Sequence, residues 1–131
     1  MTDQEITIKY LKIPRENHLS GDIEWLCRSL GFISNRDQEK TAGKIFELLI
    51  KQKSVTSETI ALNCEVTRGA VIHHLTRYMK SGIIVKEGRK YMLRTDNLTS
   101  TLDEISFDLE KNIARIKKIA YEIDQALNRK D

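Results

Sequence analysis

Cysteine, long apolar runs and catalytic signatures are what this sequence lacks, and each absence closes off a class of protein. Two cysteines, Cys27 and Cys64, among 131 residues are too few for the disulfide framework of a small secreted domain, and they fit a reducing compartment. No apolar run approaches the ~18 residues that span a bilayer. The first ten residues, MTDQEITIKY, lack the basic-then-apolar order of a signal peptide. A cytoplasmic protein without membrane association is expected. There is no phosphate loop, no Gly-x-Ser-x-Gly elbow and no His-Glu-x-x-His pair. The acidic residues are scattered as surface charge would be, so neither an enzyme nor a cofactor is expected.

What is present is globular composition, with 40% hydrophobic and 31% charged residues, in a chain long enough for one ordinary domain. The net charge of +3 is unevenly spread. Residues 1–66 carry nine Lys/Arg against ten Asp/Glu, and residues 95–131 carry six against eight. Residues 67–94 hold Arg68, Arg77, Lys80, Lys86, Arg89, Lys90 and Arg94 against Glu87 alone, a net of +6. A basic block in a slightly acidic chain is the footprint expected for a polyanion, although charge runs are often only a solvated face.

Along the chain, ITIKYLKI (6–13) alternates at Ile6, Ile8 and Tyr10 and predicts a strand ended by Pro14. A helix follows over SGDIEWLCRSLGF, with Ser20 as N-cap, Gly31 as stop, and Ile23, Leu26, Cys27 and Leu30 on one stripe. Trp25 lies off that stripe, free to pack against another element. SNRDQEKTAGKIFELLIKQ predicts a helix capped by Ser34 or Asn35, with Ala42, Ile45, Phe46, Leu49 and Ile50 inward. Gly43 costs this helix about 1 kcal/mol relative to Ala, which would suit close packing there. Thr56 should cap a short helix through Ile60, Ala61 and Leu62. After a break at 63–66, Thr67 should cap a second helix with Val71, Leu75 and Tyr78 inward and Gly82 as its stop. Two helices across a turn of roughly four residues make a helix-turn-helix pattern. IIVKEGRKYMLR reads as a hairpin turning at Glu87-Gly88, with Tyr91 and Leu93 returning on one face.

From Leu98 to Asp131 there is no Gly or Pro. Leu98, Leu102, Ile105, Leu109, Asn112, Ile116, Ile119, Ile123 and Ala126 recur in alternating steps of four and three, as in a coiled coil. Ile113, Ala120 and Leu127 widen the stripe toward a second neighbour. A lone Asn in such a seam can set register and partner number. One alternative is a helix that closes the chain's own core. At ~45 Å, however, a helix of this length outreaches the rest of the domain, so Leu102, Ile105, Leu109, Asn112, Ile116, Ile119 and Ile123 are expected to dimerise.

The segment VTRGAVIHHLTRYMKSGII resembles the recognition helix of winged-helix regulators of the ArsR/MarR type. The resemblance covers residues 41–98. It rests on Thr67 at the cap, Val71 and Leu75 in the core, the His74-Leu75 pair, Gly82 before Ile83-Ile84, and Tyr91-Met92-Leu93 as the return strand. It implies a mainly α fold with a small β-hairpin wing: a winged helix-turn-helix plus a long C-terminal dimerisation helix. Two departures stand out. Glu65 occupies a turn position that is usually Gly, so a left-handed conformation there would be strained. Ile72 replaces a small polar residue and can either meet a thymine methyl or pack inside.

In a recognition helix the N-terminal residues reach base edges in the major groove. Arg68 is then the first candidate for guanine readout. Gly69 would let the backbone approach DNA, and His73 would contact a base or phosphate. Thr67 at the helix N-terminus would hold a phosphate. Arg77 and Lys80 are expected on phosphates, and Lys86, Arg89 and Lys90 around the wing. A rival metal reading is weak at the histidines, because adjacent helical residues point about 100° apart, so His73 and His74 cannot readily chelate one ion. The paired cysteine motif of the metal-sensing ArsR proteins is also absent. His18 with Cys27 and a partner chain is the remaining metal alternative, but Cys27 and Cys64 both read as core.

The expected division is an N-terminal strand-and-helix extension (1–33) available for dimerisation, a DNA-binding domain (34–97) and a C-terminal dimerisation helix (98–131). The expected function is sequence-specific double-stranded DNA binding by a homodimeric transcriptional regulator, on a palindrome with half-sites about one turn apart. Two alternatives are architectural, sequence-tolerant DNA coating and a winged-helix protein-interaction module.

Overall fold

The computed structural model describes residues 3–13, 18–33 and 41–129. The elements run α1 (Leu19–Ser29), α2 (Thr41–Lys51), β1 (Val55–Thr56), α3 (Ser57–Cys64), α4 (Arg68–Ser81), β2 (Ile84–Glu87), β3 (Lys90–Leu93) and α5 (Leu98–Ala126). The chain is mainly helical, with one small antiparallel sheet in the order β1-β3-β2.

The expected caps explain where the central helices start and stop. Thr56 Oγ1 accepts from the Thr59 N–H at 3.2 Å, and Thr67 Oγ1 accepts from the Ala70 N–H at 3.1 Å. Each satisfies a donor that the first helical turn leaves without a partner. Gly82 ends α4 at φ +89. That left-handed backbone calls for glycine, and an added Cβ there would also displace the end of the Gln4 side chain, 2.8 Å away. Between α3 and α4, Glu65 does adopt the left-handed conformation, at φ 54 and ψ 45. The expected strain is therefore present, at a cost of roughly 1–2 kcal/mol.

One core draws on all three segments of the chain. Ile23, Cys27, Phe32 and Ile33 come from the first, Ile45, Phe46, Ile60, Leu75 and Tyr78 from the second, and Ile105 from α5. At its centre, Phe32 and Phe46 meet Tyr78 with ring centroids 4.5 and 5.5 Å away, in edge-on geometry. Tyr78 Oη donates to the Ala42 carbonyl at 2.6 Å, so this phenol is buried with a partner.

Several expectations are corrected. Residues 6–13 form no strand. Residues 3–13 run as an arm held by isolated bonds: the Glu5 N–H to the Lys80 carbonyl at 3.0 Å, and the Lys9 N–H to the Ser29 carbonyl at 2.7 Å. Trp25 Nε1 donates to the Lys12 carbonyl at 2.9 Å, which accounts for the tryptophan outside the α1 stripe. The α1 cap is His18, whose Nδ1 accepts from the Gly21 N–H, and not Ser20. Among the described residues, an added Cβ at Gly43 would meet only Ile33, at 3.9 Å, so none of them packs tightly there. A third strand, β1, pairs Val55 with Tyr91 and Thr56 with Lys90. The hairpin turns one residue later than expected, since Glu87 pairs with Lys90 across Gly88-Arg89. Pro14, Ser34 and Asn35 lie outside the described residues.

The helix α5 divides in two. Thr101 and Ile105 are buried, while Leu98, Leu102 and Leu109 pack partly against the core. Beyond them every residue from 110 to 123 is exposed. Ile105, and in part Leu102 and Leu109, therefore serve the chain's own core, whereas Asn112, Ile116, Ile119 and Ile123 project clear of it. Among the described residues no helix is long and apolar enough to cross a membrane.

Candidate nucleic-acid interface

The seven-residue spacing that buries Val71, Leu75 and Tyr78 at 0% exposure turns the opposite side of α4 outward. Thr67, Arg68, Gly69, Ile72, His73, Thr76 and Lys80 all lie on that exposed side. Ile72 is 37% exposed, so of its two expected placements the outward one holds. His74 is half-buried, its ring edge-on to that of His73 with centroids 5.5 Å apart. Lys86, Arg89 and Lys90 are exposed at the hairpin end, with Lys86 Nζ 5.4 Å from the Tyr91 ring centroid.

Gly69 is distinctive on this face. An added Cβ would meet none of the described residues within 4 Å, and its φ lies outside the left-handed range. Nothing among the described residues requires glycine here, although Gly costs a helix about 1 kcal/mol relative to Ala.

Two of the seven cations are committed to the fold. Arg77 was expected on a phosphate, but its guanidinium donates to the Phe32 carbonyl at 3.0 Å and the Gly31 carbonyl at 2.5 Å. It thereby satisfies carbonyls just past the end of α1 and locks α4 to that helix. Arg94 donates to Asp108 at 2.6 Å and pairs with Glu104 at 2.9 Å. Gln4 Nε2 reaches the same Asp108 carboxylate and also the Ser81 carbonyl, both at 2.9 Å. This cluster staples the arm, the end of α4, the exit of β3 and α5 together. The hydrogen bond from Arg94 comes first, then that from Gln4, in holding the Asp108 carboxyl below its usual range. Arg68, Lys80, Lys86, Arg89 and Lys90 remain as the outward cations.

An unexpected member of the face is Glu58 at the start of α3, 3.6 Å from Arg68. Its carboxyl is held low, first by a hydrogen bond with its own backbone, then by Arg68, the Ser57 hydroxyl and Arg89, against an opposing desolvation. Both partners are largely exposed, so the pair adds little stability, but it places a countercharge beside the leading arginine. No local signal marks Glu58, because only the fold brings it to Arg68.

The metal alternative loses its thiol. Cys27 is fully buried, and burial first, then Glu24, pushes its thiol up to about 12. His18 Nδ1 is used in capping. Burial also raises the Cys64 thiol, with Lys44 opposing. Among the described residues, no three His, Cys, Asp or Glu side chains group as metal ligands.

No protein-family model matches this chain, and no curated protein matches it at significant similarity, so the likeness of 41–98 to ArsR/MarR regulators rests on the residues named above.

Proposed function

We propose that this chain is a winged helix-turn-helix protein that binds double-stranded DNA sequence-specifically, as a homodimeric transcriptional regulator. In this reading α3 and α4 are the helix-turn-helix, β2 and β3 the wing, and α4 enters the major groove. The observation that carries it is Gly69: a helix-weakening residue that no contact among the described residues requires, on the first turn of a helix face flanked by outward cations. A missing side chain there gives a duplex backbone room to approach. Arg68 is the base reader, with Ile72 and His73 beside it on the groove-facing side. Lys80, Lys86, Arg89 and Lys90 contact phosphates, and Thr67 offers the helix N-terminus to one. Arg77 has a positioning role, fixing α4 against α1. The exposed isoleucines of α5 join two copies.

Selection of sites from random duplex DNA, at low and at physiological salt, tests this function. Enrichment of an inverted repeat is the expected outcome. Salt-sensitive binding without enrichment would instead indicate an architectural protein held by phosphate contacts. Replacement Arg68→Ala should relax the base preference at one position per half-site and cost about 1–3 kcal/mol there. A variant with unchanged preference would remove Arg68 from base readout.

A further inference from the structure

The projecting part of α5 carries more than an apolar stripe. Ile113, Ile116, Ile119, Ile123 and Leu127 are 47–56% exposed on one side. In the heptad set by Ile116 and Ile123 at a and Ile119 at d, one flank (e) is apolar: Ile113, Ala120 and Leu127. The other flank (g) is charged, in the order Asp108, Arg115, Glu122, Arg129. The signs alternate along that flank. Among the described residues neither Arg115 nor Glu122 is ion-paired within its own chain.

Charge complementarity then decides how a second copy lies on this face. In a parallel pair each charged flank meets the partner's apolar flank, so Arg115 would face Ala120 and Glu122 would face Leu127. In an antiparallel pair like flanks meet, and an alternating-sign row is complementary to its own reverse. Packing Ile116 on the partner's Ile119 brings Arg115 to the partner's Glu122 and, by symmetry, Glu122 to the partner's Arg115. The apolar flanks meet in the same register, with Ile113 against the partner's Ala120. Asn112 is the one residue that would gain from a parallel pair, where it would face its own copy. In the antiparallel register it falls opposite the partner's Ile123 in the outermost layer of the overlap, beside the polar groove between α5 and the arm that Gln4, Thr7 and Arg115 also line.

We infer that two copies associate through an antiparallel pairing of the projecting halves of α5, with the two-fold axis between Ile116 and Ile119 and reciprocal Arg115–Glu122 pairs across it. The inference rests on the dimer proposed above and fixes its geometry. Ile105, which anchors each head, lies about 12 residues or roughly 19 Å from the axis. The heads stand about 38 Å apart along the helix direction, on the order of one duplex turn. A parallel pair would set them level.

Charge reversal tests this in the full chain, with the dimer dissociation constant read by sedimentation velocity. Arg115→Glu or Glu122→Arg alone creates two like-charge pairs across the axis and should raise the constant about tenfold. The double reversal should restore it to within about twofold. Additive losses with a dimer still present would overturn the antiparallel geometry and leave the dimer standing. Efficient disulfide linkage of an Asn112→Cys variant (with Cys64→Ser) to its own copy would also overturn it, because the antiparallel register holds those positions about 16 Å apart along the axis. A chain monomeric at every concentration would overturn both the geometry and the dimer, while site selection still reports DNA binding separately.

Discussion

Helices α4 and α5 both carry an apolar stripe, but their own chain covers them differently. The inward residues of α4 are covered throughout, and what it shows to solvent is mostly polar, with Arg68 and Lys80 as its cations, Ile72 as its one large apolar group and a bare glycine in its first turn. The helix α5 is covered only to Leu109, and beyond that its isoleucines stay in the open. An exposed charged face can be satisfied by water and ions, whereas an exposed isoleucine row stays unfavourable until something apolar covers it. In the proposed reading the first meets a ligand that is taken up and released, and the second a partner that stays.

Substitutions within α5 test that division most strongly. Ile105→Ala should destabilise the fold by about 2–5 kcal/mol in chemical denaturation at any protein concentration. Ile119→Ala should leave the head's unfolding within ~0.5 kcal/mol of the parent while weakening association in sedimentation. Equal effects of both on both observables would erase the boundary at Leu109. Next in size is the staple at that boundary. Asp108→Asn should cost about 1–3 kcal/mol by removing the closer of the two charged acceptors of Arg94 and leaving it Glu104 alone. The Asp108 carboxyl is lower in the folded chain than its unfolded value near ~3.9. Its contribution is thus complete above that value and is lost as pH falls through the folded one. Denaturation midpoints followed from neutral pH to about 3 should therefore fall less in the Asn variant than in the parent.

On α4, Gly69→Ala should act in opposite directions on two measurements. Thermal stability should rise by about 0.5–1 kcal/mol, because Ala is the better helix former and has space. Duplex affinity should fall severalfold, because the methyl group stands where the backbone approaches. A stabilised variant with full affinity would place the DNA elsewhere. The smallest effect is expected at Glu65→Gly in the turn before α4. Relief of the left-handed strain, less the entropy cost of glycine, should stabilise by about 0.5–1 kcal/mol in the same melting experiment, with DNA binding unchanged.

The parts legible in the sequence are those specified by near neighbours. Thr56, Thr67 and Gly82 act within one helical turn, and the spacing of Val71, Leu75 and Tyr78 carries its own period. What was missed depends on distant partners. β1 is two residues long, too short to show alternation, and exists because β3 lies alongside it. The stretch 6–13 alternates like a strand but joins no ladder, so the arm at 3–13 is pinned at single points by Lys80, Ser29 and Trp25. Arg77 looks like any other cation of the basic block until Gly31 and Phe32 are seen beneath it. Likewise the heptad period of α5 is the same on both sides of Leu109, because periodicity reports that a face will be covered and not by which chain.

The continuity of α5 has a mechanical consequence. It runs from the core to the projecting stripe without a glycine or proline, and Asp108 and Glu104 bolt it to the end of the hairpin through Arg94. A dimer built on such a helix holds its two heads on a stiff axle rather than a tether. Each base pair added between half-sites turns one of them by about 35° around the duplex, and an axle cannot follow that rotation. Operator recognition by such a dimer would therefore be phased: spacing alone, with every contacted base unchanged, would switch binding on and off along the helical repeat of the DNA.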